Sequence, residues 1–246
     1  MKIENKNFWE RKDIIATQEV MKSISDFEQF MFLNSFKRYN KIGKIDHIKV
    51  FGCGTGRELE GIAKFYNSTK IVASDISDNM IEKCNKNLKE WNLDSITKTI
   101  VGDAKDFNKV NNEFQLVTIL NSMLTYVPLR KDRLMIFKNA HQILVQDGVL
   151  IGTVHNQIGV FMKTMYFKFR GLFSFLLGDR VGNRDTGFKG FKVSGYYYTK
   201  KGLIKDLEES GFRDIEVYSI EEFQALNGCG YDRKKGYNNL IFIVSK

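Results

Sequence analysis

The sequence predicts an α/β fold, a sheet with helices on both of its faces. Short apolar segments of strand character alternate with helix-like segments along most of the chain, which is the pattern of such sheets. The chain has 246 residues, a single proline and no Gly/Ser-rich linker. These features favour one domain that carries insertions over two separate domains.

The most informative element is the first strand with the loop that follows it. Ile48–Phe51 runs directly into three glycines at alternate positions, Gly52, Gly54 and Gly56. Glycine lets the backbone turn tightly and lets a ligand approach where a side chain would block it. After a helix-like segment, a second strand ends in Asp75, a carboxylate at the distance from which it can accept both hydroxyls of a ribose. The pattern therefore predicts a nucleoside site.

The glycine spacing bears on the kind of nucleoside. A dinucleotide site would have Gly-x-Gly-x-x-Gly next to a helix N-terminus, whereas residues 52–56 read Gly-Cys-Gly-Thr-Gly. This form resembles the first motif of the class I methyltransferases that use S-adenosylmethionine. The resemblance implies a Rossmann-like, seven-stranded and mostly parallel sheet. It also implies S-adenosylmethionine as cofactor, S-adenosylhomocysteine as product, and no metal.

Later elements follow in the order of the same family. A third strand leads to Asp103 and Ala104, where the family binds the adenine, and a fourth strand, Phe114–Leu120, ends at Asn121 facing donor and acceptor. The further core elements are a helix at 130–144, a turn at 146–148, a fifth strand at 149–154, a helix at 199–212 and two strands at 214–220 and 240–245. The donor residues implied by the resemblance are Phe51, Gly52, Cys53, Gly54, Gly56, Asp75, Ile76, Asp103, Ala104, Leu120 and Asn121.

One position departs from the family. An acidic residue often stands two places before the first glycine, near the methionine amino group, but this chain has Val50 there. The ammonium would then rely on the backbone carbonyls of Gly52 and Leu120 or on water. The departure also leaves open a relative that has kept the fold and lost the donor.

The predicted domain has four parts. They are an N-terminal helical cap at 1–44, a cofactor-binding core at 45–156, a lid or acceptor insertion at 157–195, and a final helix and strand pair at 196–246. Phe8–Lys12 and Val20–Tyr39 read as helices of the cap. They either pack on the sheet or close over the donor, with Arg11 near its carboxylate.

The insertion begins with an apolar and aromatic stretch, Ile158–Gly178. Lys163, Lys168 and Arg170 interrupt it, so it could not easily span a membrane. Three interpretations stay open: a lid helix packed on the core, a mobile wall of the acceptor pocket, or an interfacial helix on an anionic membrane. The following stretch, 178–190, reads as a mobile loop.

Acceptor chemistry is expected beside the ends of the fourth and fifth strands. His155 is the best candidate for a base that deprotonates an oxygen acceptor, and Tyr126 is the second. The predicted acceptor residues are Tyr126, His155, Asn156, Arg184 and Tyr197. Arg180, Arg184 and Lys189 could bind an anion, or they could belong to a solvated loop whose charges pair with one another.

Composition limits the partners only loosely. The net charge of +9 is spread along the chain without a recognisable RNA-binding appendage, so a small-molecule acceptor is favoured over nucleic acid. The cysteines, Cys53, Cys84 and Cys229, give no pairing framework, which fits a cytoplasmic setting.

We expect methyl transfer to an oxygen or nitrogen of a small polar metabolite, which includes anionic metabolites. Examples are a sugar and a precursor of a surface polysaccharide or natural product. The alternatives are a membrane-associated lipid or quinone methyltransferase, an RNA methyltransferase, and a non-catalytic binding protein.

Overall fold

The computed structural model describes residues 2–18, 24–39, 43–107, 112–188, 190–232, 234 and 238–246. The helices and strands in chain order are β1 (Lys2–Ile3), α1 (Asn5–Trp9), α2 (Lys12–Gln18), α3 (Asp26–Tyr39), β2 (His47–Phe51), α4 (Leu59–Tyr66), β3 (Lys70–Asp75), α5 (Asp78–Glu90), β4 (Thr97–Val101), β5 (Phe114–Ile119), α6 (Arg130–Ile143), β6 (Leu144–Val154), α7 (Phe161–Leu172), α8 (Ser174–Leu177), β7 (Asn183–Phe188), β8 (Phe191–Tyr196), α9 (Lys200–Glu209), β9 (Arg213–Ser219), α10 (Ile220–Leu226) and β10 (Leu240–Ser245).

A seven-stranded sheet forms the centre of the molecule, in the order β4-β3-β2-β5-β6-β10-β9. The strands from β4 to β6 pair in parallel, and β10 is antiparallel to both of its neighbours. The predicted α/β fold with a mostly parallel sheet is therefore confirmed. All parallel strands end at the same edge, which brings the loops after β2, β3, β4 and β5 together there.

The strand sequences explain why the sheet is covered on both faces. Alternate side chains of a strand point to opposite faces. Ile48 and Val50 of β2 belong to one apolar cluster, whereas Phe51 belongs to the cluster on the other face. Lys49 is fully buried on the Phe51 face, with its amine over the rings of Phe51 and Phe107, an unusual position for a lysine.

The predicted helix ends are set by side-chain caps. Ser77 accepts a 3.1 Å hydrogen bond from the amide of Met80 at the start of α5. Thr199 does the same for the amide of Gly202, at 3.0 Å, at the start of α9. Such caps satisfy amide groups that have no partner within the helix.

Two predicted boundaries change. The turn expected at 146–148 lies inside β6, which begins at Leu144 directly after α6. The pairing of β5 with β6 slips between Phe114 and Leu116, and Asp147 has a φ of +60°, so the local bend interrupts the strand without ending it. In the N-terminal region, α3 begins at Asp26, and positions 20–23 of the predicted helix lie outside the described residues.

The stretch 178–190 is not the mobile loop that its glycines and charges predicted. It starts with a short 3-10 helix, Gly178–Gly182, and continues into β7. β7 pairs with β8 in an antiparallel hairpin, and β1 adds a parallel third strand. The third strand of this sheet comes from 190 residues away in the chain (Lys2 opposite Lys192), which a local pattern does not reveal. Among the described residues, no helix is long and apolar enough to cross a membrane.

Candidate functional site

A cavity of about 500 Å³ opens at the carboxyl edge of the parallel strands, a volume within the usual range of ligand sites. Its floor is formed by the glycine loop after β2 and by the ends of β3, β4 and β5. Asn5 and Trp9 of α1 and Glu28 of α3 form part of its wall. Residues of α1 and α3 thus line the cavity, and α3 also packs on the sheet through Met31 and Phe32. Closure of the N-terminal region over a donor stays a prediction.

The glycine loop has the backbone that its sequence predicted. Gly52, Gly54 and Gly56 all have positive φ, at +69°, +52° and +88°, a region that residues with a side chain rarely adopt. A Cβ on Gly52 would lie 2.5 Å from Cγ of Met123, whereas a Cβ on Gly54 would meet nothing within 4 Å. Gly54 therefore presents bare backbone to the cavity.

The two predicted carboxylates both line the cavity. Asp75 accepts hydrogen bonds from the amides of Gly54 at 2.9 Å and Ser77 at 3.0 Å. Burial raises the pKa of Asp75, and these amide hydrogen bonds act in the opposite direction. Asp103 accepts a 3.1 Å hydrogen bond from the amide of Lys105. The neighbouring Gly102 faces open space, so each carboxylate stands beside a gap without side chains.

A charged cluster directly after the glycine loop was missed by sequence reasoning. Arg57 forms an ion pair with the buried Glu28 of α3 and donates a 2.8 Å hydrogen bond to Oδ1 of Asn121. Glu58 is fully buried and accepts a 3.4 Å hydrogen bond from Asn121. Its other oxygen, Oε1, has no hydrogen-bond partner among the described residues. Burial raises the pKa of Glu58 to about 7, although the nearby Arg57 lowers it.

The chain after β5 is held in an unusual conformation at the same place. Asn121 and Ser122 both have positive φ, +52° and +55°, which costs free energy for residues that are not glycine. The amide of Ser122 donates a 2.8 Å hydrogen bond to Oγ1 of Thr153 on β6, and this contact fixes the bend. The bend aims Asn121 at Arg57 and Glu58.

One wall of the cavity is aromatic. The ring of Tyr126 lies edge-on to Trp9, with centroids 5.0 Å apart, and 6.2 Å from the ring of His155. The amide of His155 donates to Oγ1 of Thr125 at 2.9 Å. Burial, with a smaller contribution from the charge of Lys163, lowers the pKa of His155 to about 4. The imidazole is therefore neutral at pH 7.

The structure brings most of the predicted site residues together. The cavity lining includes Gly52, Cys53, Gly54, Asp75, Ile76, Asp103, Ala104, Asn121, Tyr126 and His155.

Four predicted donor residues do not line the cavity. Phe51 and Leu120 are fully buried in the core, and Gly56 packs its Cα against Cys84. Arg11 pairs with Asp13 and stacks on the ring of Phe191 at 3.9 Å, so its predicted position near the donor carboxylate is wrong. Arg57 and Lys105 do line the cavity.

Three predicted acceptor residues also lie outside the cavity. Asn156 is buried and accepts from the amide of Ile158 at 3.0 Å. Tyr197 packs against the far side of the His155 ring, with centroids 5.1 Å apart. Arg184 lines a separate groove of about 250 Å³ beside Tyr166, and Lys189 of the predicted anion site lies outside the described residues.

The sequence is similar to known methyltransferase domains. Residues 49–148 match the family model described as "Methyltransferase domain". The chain is 28% identical over 148 residues to carboxy-S-adenosyl-L-methionine synthase of Shewanella pealeana, an alignment that covers 57% of this chain and 53% of that protein. The chain spans about half the length of the curated relatives it matches.

Solved structures share the fold over most of the chain. A SAM-dependent methyltransferase from Methanosarcina mazei superposes with a TM-score of 0.62 at 20% identity, covering 85% of this chain and 95% of that one. An S-adenosylmethionine-dependent methyltransferase from Clostridium acetobutylicum gives 0.64 at 15% identity, covering 95% and 97%. At such identities the similarity shows a common fold.

Proposed function

We propose that this protein, which carries a methyltransferase domain of the class I S-adenosylmethionine-dependent type, binds S-adenosylmethionine in the cavity and transfers its methyl group to a small polar acceptor. The observation that carries the proposal is the junction of Gly54 and Asp75. Bare backbone in the left-handed region faces open space there, and a carboxylate with spare acceptor capacity stands beside it. The ribose hydroxyls would be held by Asp75, and the adenine would lie between Ile76 and Asp103.

The residues at the other end of the glycine loop fit the methionine part of the donor. The orphan oxygen of Glu58 is a buried acceptor, and a buried acceptor without a partner is costly unless a ligand supplies the donor group. An ammonium supplies such a group. Arg57, whose guanidinium already bonds Glu28 and Asn121, would place a positive charge near the accompanying carboxylate. Glu58 would then take the role that the family gives to the acidic residue replaced here by Val50.

When bound, S-adenosylmethionine supplies a methyl carbon that its sulfonium makes electrophilic. The protein has to orient the acceptor behind that carbon and exclude water, and positioning of this kind provides much of the rate. Tyr126, Trp9 and His155 form the wall suited to the acceptor. Neutral His155 can take a proton from an oxygen acceptor, and a neutral amine needs only its lone pair to be accessible.

The first experiment is calorimetric titration of S-adenosylmethionine and S-adenosylhomocysteine into the wild type, Asp75→Ala and Asp78→Ala. Asp78 lies on the same segment, has an exposed side chain that pairs with Lys6, and does not line the cavity, so it is the matched control. We expect micromolar binding to the wild type and Asp78→Ala and no binding to Asp75→Ala. Absence of binding to the wild type would contradict the proposal. Incubation with a metabolite extract then identifies the acceptor by a mass gain of one methyl group.

A second candidate function comes from the curated relatives, whose name is carboxy-S-adenosyl-L-methionine synthase. In that case S-adenosylmethionine itself would be the molecule that is modified. Mass spectrometry of the same incubation separates the two functions. S-adenosylhomocysteine together with a methylated acceptor supports methyl transfer, whereas a carboxylated derivative of S-adenosylmethionine supports the second candidate.

A further inference from the structure

Helices α7 and α8 turn an apolar face to the solvent. Phe161, Met165, Phe169 and Leu172 follow one another in α7 at steps of four, four and three residues, so they lie along one side of that helix. The exposed Leu176 stands on the adjoining α8. Phe161 is 74% exposed, Phe169 62% and Leu172 72%. We call this row the outer face. The interpretation of this segment as a lid packed on the core is therefore wrong for most of its apolar residues.

The inner side of α7 explains why the outer face cannot turn inward. Phe167 is buried against the ring of Tyr197, with centroids 5.2 Å apart. Lys163 lies over the same ring, and Arg170 donates a 2.9 Å hydrogen bond to the carbonyl of Val181. Because these three residues share one side of the helix, their contacts fix its rotation. Soluble proteins rarely expose a contiguous apolar row of this length unless it binds something.

The charges around the outer face indicate what kind of partner surface it would bind. The sequence has no acidic residue from 148 to 178, and the exposed Lys168 stands at the border of the apolar row. Arg180 is exposed just after α8, next to the exposed Asp179, whose carboxylate lies 4.0 Å from Nε of Arg130. A second copy of the chain packed through the same face would bring these cations together, whereas an anionic surface would attract them. An exposed apolar row with cations at its border is the pattern of helices that lie in a membrane interface.

We propose that α7 and α8 dock the protein onto an anionic lipid bilayer, with the outer face inserted among the acyl chains and Lys168 and Arg180 at the head groups. The same segment is connected to the cavity, because Phe167 packs on Tyr197 and Tyr197 packs on His155. If the cavity has the function proposed above, docking would place its acceptor end close to the bilayer and favour amphiphilic acceptors. The docking itself does not depend on that function.

Vesicle co-sedimentation of the full-length protein tests the proposal. The probes are vesicles of phosphatidylcholine alone and of phosphatidylcholine with phosphatidylglycerol. The variants are Phe169→Ser/Leu172→Ser, Lys168→Glu and, as control, Leu226→Ser. Leu226 is 67% exposed on α10, outside α7 and α8, so its substitution removes a similar apolar surface elsewhere. Circular dichroism and titration of S-adenosylmethionine show whether each variant keeps its fold and its cavity.

We expect the wild type and Leu226→Ser to sediment with anionic vesicles. Removing two inserted side chains should reduce partitioning at least tenfold, and Lys168→Glu should reduce it severalfold and make it less sensitive to salt. Three results would overturn the proposal: no sedimentation of the wild type, equal sedimentation of the double variant, or equal binding to neutral vesicles. Dimerisation of the wild type that the double variant lacks, without vesicle binding, would assign the outer face to a second copy instead.

Discussion

The amide of Gly54 donates a hydrogen bond of 2.9 Å to Oδ2 of Asp75. This bond ties the glycine loop after β2 to the end of β3, so the two parts of the nucleoside motif form one rigid unit. The second carboxylate oxygen is held by the amide of Ser77 at the start of α5. Asp75 is thereby oriented before any ligand arrives, which reduces the entropy lost on binding.

Gly54→Ala should therefore abolish donor binding without unfolding the protein. The new methyl group would project into the open space that the ligand needs, and the positive φ should cost about 1–2 kcal/mol of stability. Gly228→Ala is the matched control, because Gly228 also has a positive φ, +69°, and open space around it, but it does not line the cavity. Calorimetry and thermal unfolding of both variants check this. Equal loss of donor affinity in the two variants would contradict the role of Gly54.

Glu58→Gln should weaken donor binding and remove its pH dependence. The pKa of Glu58 is raised to about 7 by burial, so the free protein binds a proton there as the pH falls through 7. An ammonium prefers the ionised carboxylate. The wild-type affinity for S-adenosylmethionine should therefore rise with pH. At pH 6 it should be roughly tenfold lower than the plateau that it reaches above pH 7. The affinity of Glu58→Gln should be low and flat between pH 6 and 7.5.

Titrations at four pH values test this dependence. Glu60→Gln is the control, because Glu60 lies on the same helix and pairs with Lys64 on its surface. A wild-type affinity that does not change with pH, or an unchanged slope in Glu58→Gln, would place the ammonium elsewhere.

The parallel core could be predicted from the sequence because its signals are local. Most strands are apolar runs, the glycine loop begins directly after β2, and Asp75 is the last residue of β3. The same reasoning failed for Arg11, since nothing in the sequence distinguishes a cation that stacks on Phe191 from one that reaches the cavity. Arg57 follows the glycine loop directly, so its position after Gly56 was the available signal.

Non-local contacts account for the other differences. β7 and β8 carry few apolar residues, and β1 adds the third strand of their sheet. Two of the three interpretations of the apolar stretch made it a helix, and α7 confirms that part of them. The sequence pattern could not predict which side faces the protein, because that is decided by Phe167 and by the bond from Arg170 to the backbone of the following turn.

Lys49→Met should stabilise the protein. The amine of Lys49 is fully buried in β2, donates a 2.7 Å hydrogen bond to Ser74 and lies over the ring of Phe107. Burial lowers its pKa to about 7. Between pH 7 and about 10 the unfolded chain binds a proton that the native protein lacks. The free energy of unfolding should therefore rise with pH in this window.

Methionine would remove that slope and raise the free energy of unfolding at pH 7 by about 1–3 kcal/mol. Urea unfolding from pH 7 to 9.5 measures both effects. Lys98→Met on the exposed side of β4 is the control and should change neither. A slope in Lys49→Met equal to that of the wild type would show that Lys49 is not the titrating group.

His155→Gln should stabilise the protein in acid, because it too removes a free energy of unfolding that rises with pH. The pKa of His155 is lowered to about 4, mainly by burial, while that of an unfolded histidine is about 6.5. As the pH falls from 6.5 to 4, the unfolded chain gains a proton that the native protein does not, so the native state loses stability. This loss should be at most about 1.4 kcal/mol per pH unit, and glutamine, which does not titrate, should remove it.

Urea unfolding between pH 5 and 7 measures the slope, with His47→Gln as the control at the start of β2. An unchanged slope in His155→Gln would contradict the burial of a neutral imidazole.

The same variant tests whether His155 contributes to donor binding or acts as the base in catalysis. Because His155 belongs to the aromatic wall with Tyr126 and is not one of the residues proposed to hold the donor, its loss should leave the affinity for S-adenosylmethionine within about twofold. If His155 removes the proton of an oxygen acceptor, turnover should fall by about 10²–10⁴-fold, and a much smaller change would indicate an acceptor that needs no base.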